Sequence, residues 1–293
     1  MAFTARMGRM LALIAAFLSA PLAEAQQPAQ PCPADEGCKV ASGTYRILLP
    51  REATTTRSYG AIVYFHGYQG TASEVVADPA LVEVARRLGV ALIAPEGVGR
   101  SWSFPGSPAQ NRDELAFVAQ MLDDAARRFP IDPGRLMASG FSQGGSMVWY
   151  LACRMPGRFA AFAPIAGAFW EPLPESCAGP RPKLIHVHGT NDRTVPLAGR
   201  QLRQGFRQGD VFKSFSALAP GGCTTDLPDM ARSTSPEPAL TCRQANGCSG
   251  ARLELCLHDG GHMVDTAWVE RAWRLTMPAD PASLAARPVL TSP

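Results

Sequence analysis

Short continuous apolar runs recur along this chain, separated by stretches with helical periodicity. Ala61–Phe65, Val90–Ala94, Leu136–Ser139, Phe159–Ile165 and Lys183–Val187 are such runs, and Leu253–His258 closes the series. Runs of this length suit strands buried on both faces, as in a parallel sheet. Thr44–Leu49 alternates apolar and polar residues and predicts an opening, edge-like strand. Helices are predicted over Pro79–Leu88, Arg112–Phe129, Gly144–Arg154 and Thr266–Met277. In the second of these, Leu115, Val118, Ala119, Leu122 and Ala126 form one apolar stripe. Strands alternating with helices predict an α/β fold, a mostly parallel central sheet with right-handed crossovers, in one domain over residues 42–277.

The two ends read differently. Arg6 and Arg9 precede an apolar run from Met10 to Ala20, and Ala23-Glu24-Ala25 follows as a small-residue cleavage site. Residues 1–25 are therefore expected to be an export signal, removed near Ala25. The apolar run is shorter than the ~20 residues of a spanning helix, and no cysteine follows the cleavage site, so no membrane anchor is expected. Residues 26–41, rich in Pro and Gln, are expected to be an irregular arm, and residues 278–293, with four prolines, a loose tail. The destination is the periplasm or the medium.

Charge adds little. The chain has 293 residues and a formal net charge of +3, and only three of its 28 basic residues are lysines. Nothing here points to nucleic acid or an anionic membrane as a partner. Oligomeric state leaves no trace in the sequence. The eight cysteines change the picture more, because all lie beyond the export signal. An even number there predicts disulfides. Without a paired C-x-x-C or a histidine cluster, no zinc site is expected. Cys32 and Cys38 are expected to close a small loop, and Cys153 and Cys177 to tie a helix to the loop after it. Cys223, Cys242, Cys248 and Cys256 allow three pairings. A hairpin turn over 246–250 would set Cys242 against Cys256 and leave Cys223 with Cys248.

The chemistry sits in Gly140-Phe141-Ser142-Gln143-Gly144, a G-x-S-x-G between a predicted strand and a predicted helix. That context suits a sharp turn with an exposed serine hydroxyl. Serine needs a base, and the base needs an orienting acid. Asp192, after the Lys183–Val187 strand, is the acid candidate, either orienting a base or merely bonding its own loop. Asp259 and Asp265 compete with it. His262, in Gly260-Gly261-His262, is the base candidate over His258, which falls within a predicted strand. His186 and His188 read as structural. The N–H groups of Gln143 and Tyr68 are candidates for an oxyanion site. Gly67 would allow close approach there, and His66 would fix the loop. Trp102 is either a substrate-binding wall or a packed loop aromatic. Tyr68, Phe104 and Trp170 are further pocket candidates.

Tyr64-Phe65-His66-Gly67, Ser101-Trp102, the stretch Asp113–Phe129 leading through Ile131-Asp132-Pro133 to Gly140–Gly145, His188–Asp192 and Gly260–His262 together resemble the secreted polyhydroxybutyrate depolymerase and feruloyl esterase group. The resemblance covers roughly residues 42–275. It implies an α/β-hydrolase fold and a serine esterase using Ser142, His262 and Asp192, with no metal or cofactor. The chain departs from the group at Gln143, where members often carry Asn or Ala, at Met263-Val264, where Trp-Pro often follows the histidine, and in its extra cysteines near 242–256. Short hydroxyalkanoate esters or oligomers are the expected substrates, feruloyl or acetylxylan esters the alternative. A serine peptidase on the same fold is a third reading, a non-catalytic binding protein a fourth.

Overall fold

The computed structural model describes residues 35–50, 58–219, 231–233, 240–246 and 251–278, with Met1, Cys32, Pro33 and Cys248. The expected export signal, most of the expected arm and the expected tail after 278 lie outside the described residues. The chain opens with a hairpin, Cys38–Val40 (β1) and Gly43–Leu48 (β2). Tyr59–Phe65 (β3), Ala72–Ala77 (α1), Pro79–Leu88 (α2) and Ala91–Pro95 (β4) follow. Glu114–Arg128 (α3), Ile131–Phe141 (β5), Gln143–Arg154 (α4), Ala161–Ile165 (β6) and Lys183–Gly189 (β7) form the middle. A small ribbon, Arg200–Gln201 (β8) with Arg207–Gln208 (β9), precedes Val211–Leu218 (α5). Ala231–Ser233 (β10), Thr241–Gln244 (β11), Arg252–His258 (β12) and Thr266–Thr276 (α6) complete it.

Ten strands form one sheet in the order β1-β2-β4-β3-β5-β6-β7-β12-β11-β10. The six from β4 to β12 are parallel, and the antiparallel pairs β1–β2 and β11–β10 extend it at either end. This is the parallel α/β sheet that the apolar runs predict. Alternate residues serve opposite faces. In β3, Val63 and Phe65 join α3, α4 and α5 in one core, while Ile62 and Tyr64 face α1, α2 and α6 in the other. Between β4 and β5 the chain crosses β3 to its other side, which opens a crevice at the carboxyl ends of β3 and β5.

Local chemistry sets the helix ends. Asp78 accepts the N–H groups of Ala80 and Leu81, Pro79 occupies the first helical position, and Gly89 ends α2 at φ 65°. The buried stripe of α3 runs through Phe117, Val118, Met121, Leu122 and Ala125. It is rotated from the expected one, leaving Leu115, Ala119 and Ala126 half-buried at its border, because Phe117 and Met121 outcompete the alanines for core volume. The arm also ends earlier than expected. Cys38–Val40 pairs with β2 and takes the edge position that the sequence reading gave to β2.

Disulfides join Cys32 to Cys38, Cys153 to Cys177 and Cys242 to Cys256. The last pair lies in register across β11 and β12, as the hairpin argument requires. Cys248 is also disulfide-bonded; its expected partner, Cys223, lies outside the described residues. Glu254, fully buried in β12, pairs with Arg271 of α6 at 2.6 Å and with Arg252 at 2.5 Å. Among the described residues, no helix is long and apolar enough to cross a membrane.

Candidate active site

At the end of β5 the backbone turns through Ser142 at φ 59°, ψ −120° and enters α4 at Gln143. A non-glycine residue there costs about 1–3 kcal/mol and persists only where its surroundings hold it. They do: Ser142 N–H bonds to Ile165 O at 2.9 Å, and Ser142 O accepts Ser146 N–H at 2.9 Å. Gly144 lets α4 start against the end of β3. A Cβ at that position would stand 2.0 Å from Phe65 O and 2.5 Å from His66 O.

The loops after β7 and β12 bring the other two residues to this turn. Ser142 Oγ–H donates to His262 Nε2 at 2.9 Å, and His262 Nδ1–H donates to Asp192 Oδ2 at 2.7 Å. The Asp192 carboxylate is fully buried. Its Oδ1 accepts N–H from Thr194 and Val195, each at 2.8 Å. The two readings of Asp192 therefore hold together, since one oxygen caps the loop and the other orients the imidazole. The competitors are elsewhere. Asp265 caps α6 through Ala267 N–H, and Asp259 is exposed.

His258 is in β12, as expected, and its Nδ1 accepts Gly260 N–H at 3.0 Å, which fixes the turn leading to His262. His186 and His188 are fully buried behind the acid loop. His186 Nδ1–H donates to Pro164 O at 2.8 Å, the two rings meet at 2.9 Å, and His188 Nε2 lies 2.7 Å from Val195 O. Burial pushes both below the usual imidazole range.

His66 fixes the loop after β3. Its Nδ1–H donates to Gly67 O at 2.8 Å and its Nε2 accepts Gly97 N–H at 3.0 Å. Gln69 stands at φ 66°, and its N–H bonds to Arg100 O. Tyr68 N–H finds no acceptor among the described residues, and Gln143 N–H, first in α4, has none within the helix. Gly67 borders Ser142, but a Cβ there would meet its nearest atoms at 3.5–3.7 Å, ordinary contact. Packing against Phe141 and Ser142 therefore does not by itself demand glycine at 67.

Trp102 also needs correcting. It is fully buried, donates its indole N–H to His66 O at 2.8 Å and packs edge-on against Phe65. It buttresses the loop and forms no wall of the cleft. Phe104 stacks on Tyr150 away from the cleft. The cleft beside Ser142, of about 330 Å³, is lined by Tyr68, Gln143, Trp170, Val195, Arg200 and Leu202 among others. Arg200 and Gln208 escape the sequence reading, because two-residue strands show no periodicity, and so does Leu202 in the turn after β8. Among the described residues, one group of His, Cys, Asp or Glu is tight enough for an ion: Cys242, Glu254 and Cys256, whose sulfurs are joined to each other.

His66 and His258 each accept a backbone N–H, so each must be neutral, and burial holds both below the usual imidazole range. As pH falls below about 6.5 the unfolded chain takes up protons before these rings do. The unfolded state then binds more protons, so stability rises with pH through that window and levels off above it. Melting followed by circular dichroism should show a Tm lower at pH 5 than at pH 7.5, on the order of 5 °C. His186 and His188 act in the same direction, so an unchanged Tm would mean that none of the four rings is held neutral.

The sheet order, the turn at Ser142 and the loops carrying Asp192 and His262 define an α/β-hydrolase. Two solved structures share the fold. They are the acetyl xylan esterase of Aspergillus awamori (TM-score 0.53, 15% identity, 76% of this chain and 92% of that one) and the Bacillus cereus carboxylesterase (TM-score 0.50, 14% identity, 80% and 94%). Residues 41–221 match the esterase family described as "Putative esterase", and the chain belongs to that family. Its relatives include "Putative esterase NocK" of Nocardia uniformis subsp. tsuyamanensis, 30% identical over 67% of this chain and 63% of that protein. Feruloyl esterase B of Piromyces equi is 24% identical over 74% and 42%. Poly(3-hydroxyalkanoate) depolymerase C of Paucimonas lemoignei is 29% identical over 34% and 31%. The chain thus spans less than two thirds of the length of these three. The feruloyl esterase and the depolymerase carry names from the group that the sequence motifs resemble.

Proposed function

We propose that this chain is an exported serine esterase that hydrolyses carboxylic esters by two-step acyl transfer. The observation that carries the reading is the unbroken hydrogen-bonded chain from Ser142 through His262 to Asp192, on a strained turn that opens into a cleft. Ser142 Oγ attacks the ester carbonyl while His262 Nε2 takes its proton, and Asp192 stabilises the resulting imidazolium. Gln143 and Tyr68 N–H groups hold the oxyanion. His262 then protonates the departing alcohol. A water molecule, deprotonated by His262, attacks the acyl-serine and frees the acid. This chemistry needs no metal or cofactor. Disulfides support export to an oxidising compartment.

The largely apolar cleft suits short hydroxyalkanoate esters or oligomers. Feruloyl or acetylxylan esters are the second reading, and the feruloyl esterase names among its relatives favour the feruloyl part of it. The test is labelling of the mature protein by a fluorophosphonate, together with initial rates on p-nitrophenyl butyrate, a hydroxybutyrate oligomer, methyl ferulate and a peptide anilide. Labelling with ester turnover is expected. Absence of both would sink the reading, and anilide turnover at comparable rates would make it a peptidase.

A further inference from the structure

The cleft walls carry one formal charge among the described residues, that of Arg200. Tyr68, Pro108, Trp170, Val195 and Leu202 around it are neutral. Arg200 is half-buried on β8 and stands in register with Gln208 of β9, which bridges to Trp170. Its Nε–H donates to Gln208 Oε1 at 3.0 Å. No carboxylate among the described residues lies within ion-pair distance of it. The neighbouring Arg207 shows the contrast: it pairs with Glu171 at 3.0 Å.

A cation in a mostly apolar cleft is costly unless something supplies its counter-charge. Here Gln208 fixes the guanidinium at Nε and leaves the Nη groups to a ligand. A planar fork of N–H donors matches a carboxylate in two-point fashion. The serine, the oxyanion loop and Arg200 share this one cleft, so a substrate that meets Ser142 shares it with the guanidinium.

We propose that Arg200 is a specificity residue, and that the preferred substrate is an ester carrying a second, free carboxylate, as the acid end of a short hydroxyalkanoate oligomer does. The proposal rests on the esterase reading and narrows it. The free carboxylate docks on Arg200 while the ester carbonyl meets Ser142. Each turnover of an oligomer then leaves a product that again ends in a carboxylate. A polymer interior, a feruloyl sugar and an acetylated xylan offer no such group beside the ester.

The test is a ratio. Let kcat/KM be measured for the linear 3-hydroxybutyrate dimer with a free acid end and for its methyl ester. The native enzyme should favour the free acid by at least about tenfold, less so as salt rises. In Arg200→Gln that ratio should fall about 10- to 100-fold. A residue that only supports the fold would lower both rates and leave the ratio unmoved. No preference in the native enzyme, or an unchanged ratio in the variant, overturns the proposal. Binding of the free-acid dimer to the Ser142→Ala protein, followed by calorimetry with and without Arg200→Gln, gives a readout independent of turnover. If no ester is hydrolysed but this binding still depends on Arg200, the anion site stands and the esterase reading falls. Binding that ignores Arg200 overturns the site.

Discussion

Ser142→Ala is expected to lose ester hydrolysis down to background, on the order of 10⁶-fold in kcat. The methyl group cannot attack, and the 2.9 Å contact that makes His262 its base is gone. What remains is the oxyanion N–H pair and the cleft, which together give weak catalysis over water. Folding should survive, because the backbone bonds of residue 142 to Ile165 and Ser146 do not involve its side chain. A companion variant separates chemistry from strain. Ser142→Gly is equally inactive, but glycine occupies φ 59° at no steric cost, whereas serine and alanine are strained there. Urea unfolding should find Ser142→Gly more stable than Ser142→Ala by about 1 kcal/mol. Residual turnover in Ser142→Ala within tenfold of the native rate would exclude residue 142 as nucleophile.

Asp192→Asn should cost about 10⁴-fold in kcat with the fold intact. Native Asp192 is an acceptor on both oxygens, taking Thr194 and Val195 N–H on one and His262 Nδ1–H on the other. Asparagine is nearly the same shape. Its carbonyl satisfies the two loop amides, so its NH₂ faces His262. A donor facing Nδ1 forces the ring proton onto Nε2, which can then no longer receive the serine proton. The measurement is kcat on p-nitrophenyl butyrate, alongside a thermal melt. A loss below tenfold, with melting unchanged, would return Asp192 to the role of loop cap alone.

The features written locally were readable. Buried parallel strands showed as unbroken apolar runs because both faces are covered. The ends of α2 were readable because Asp78, Pro79 and Gly89 set them through their own backbone preferences. Cys242 and Cys256 were readable because a hairpin turn fixes which residues oppose each other. What failed depended on packing between distant segments. Trp102 lies in the loop after a strand end, where a substrate wall or a core residue would look alike; only the position of His66 O and Phe65 decides. Arg200 and Gln208 become cleft residues through a ribbon of two paired dipeptides and a bridge to Trp170. Neither leaves a periodic signal.

The order of the site along the chain bears on when the protein becomes active. Ser142 and His262 are 120 residues apart, and the base loop takes its place only once β12 lies between β7 and β11. Pairings of such long sequence separation form late, because the chain between them must first be closed. Synthesis also proceeds from the amino end, so Ser142 is made well before His262. On the proposed mechanism, a growing or partly folded chain would carry a serine without its base. Active-site titration during refolding counts completed sheets, one acylated serine for each molecule whose last parallel strand has docked.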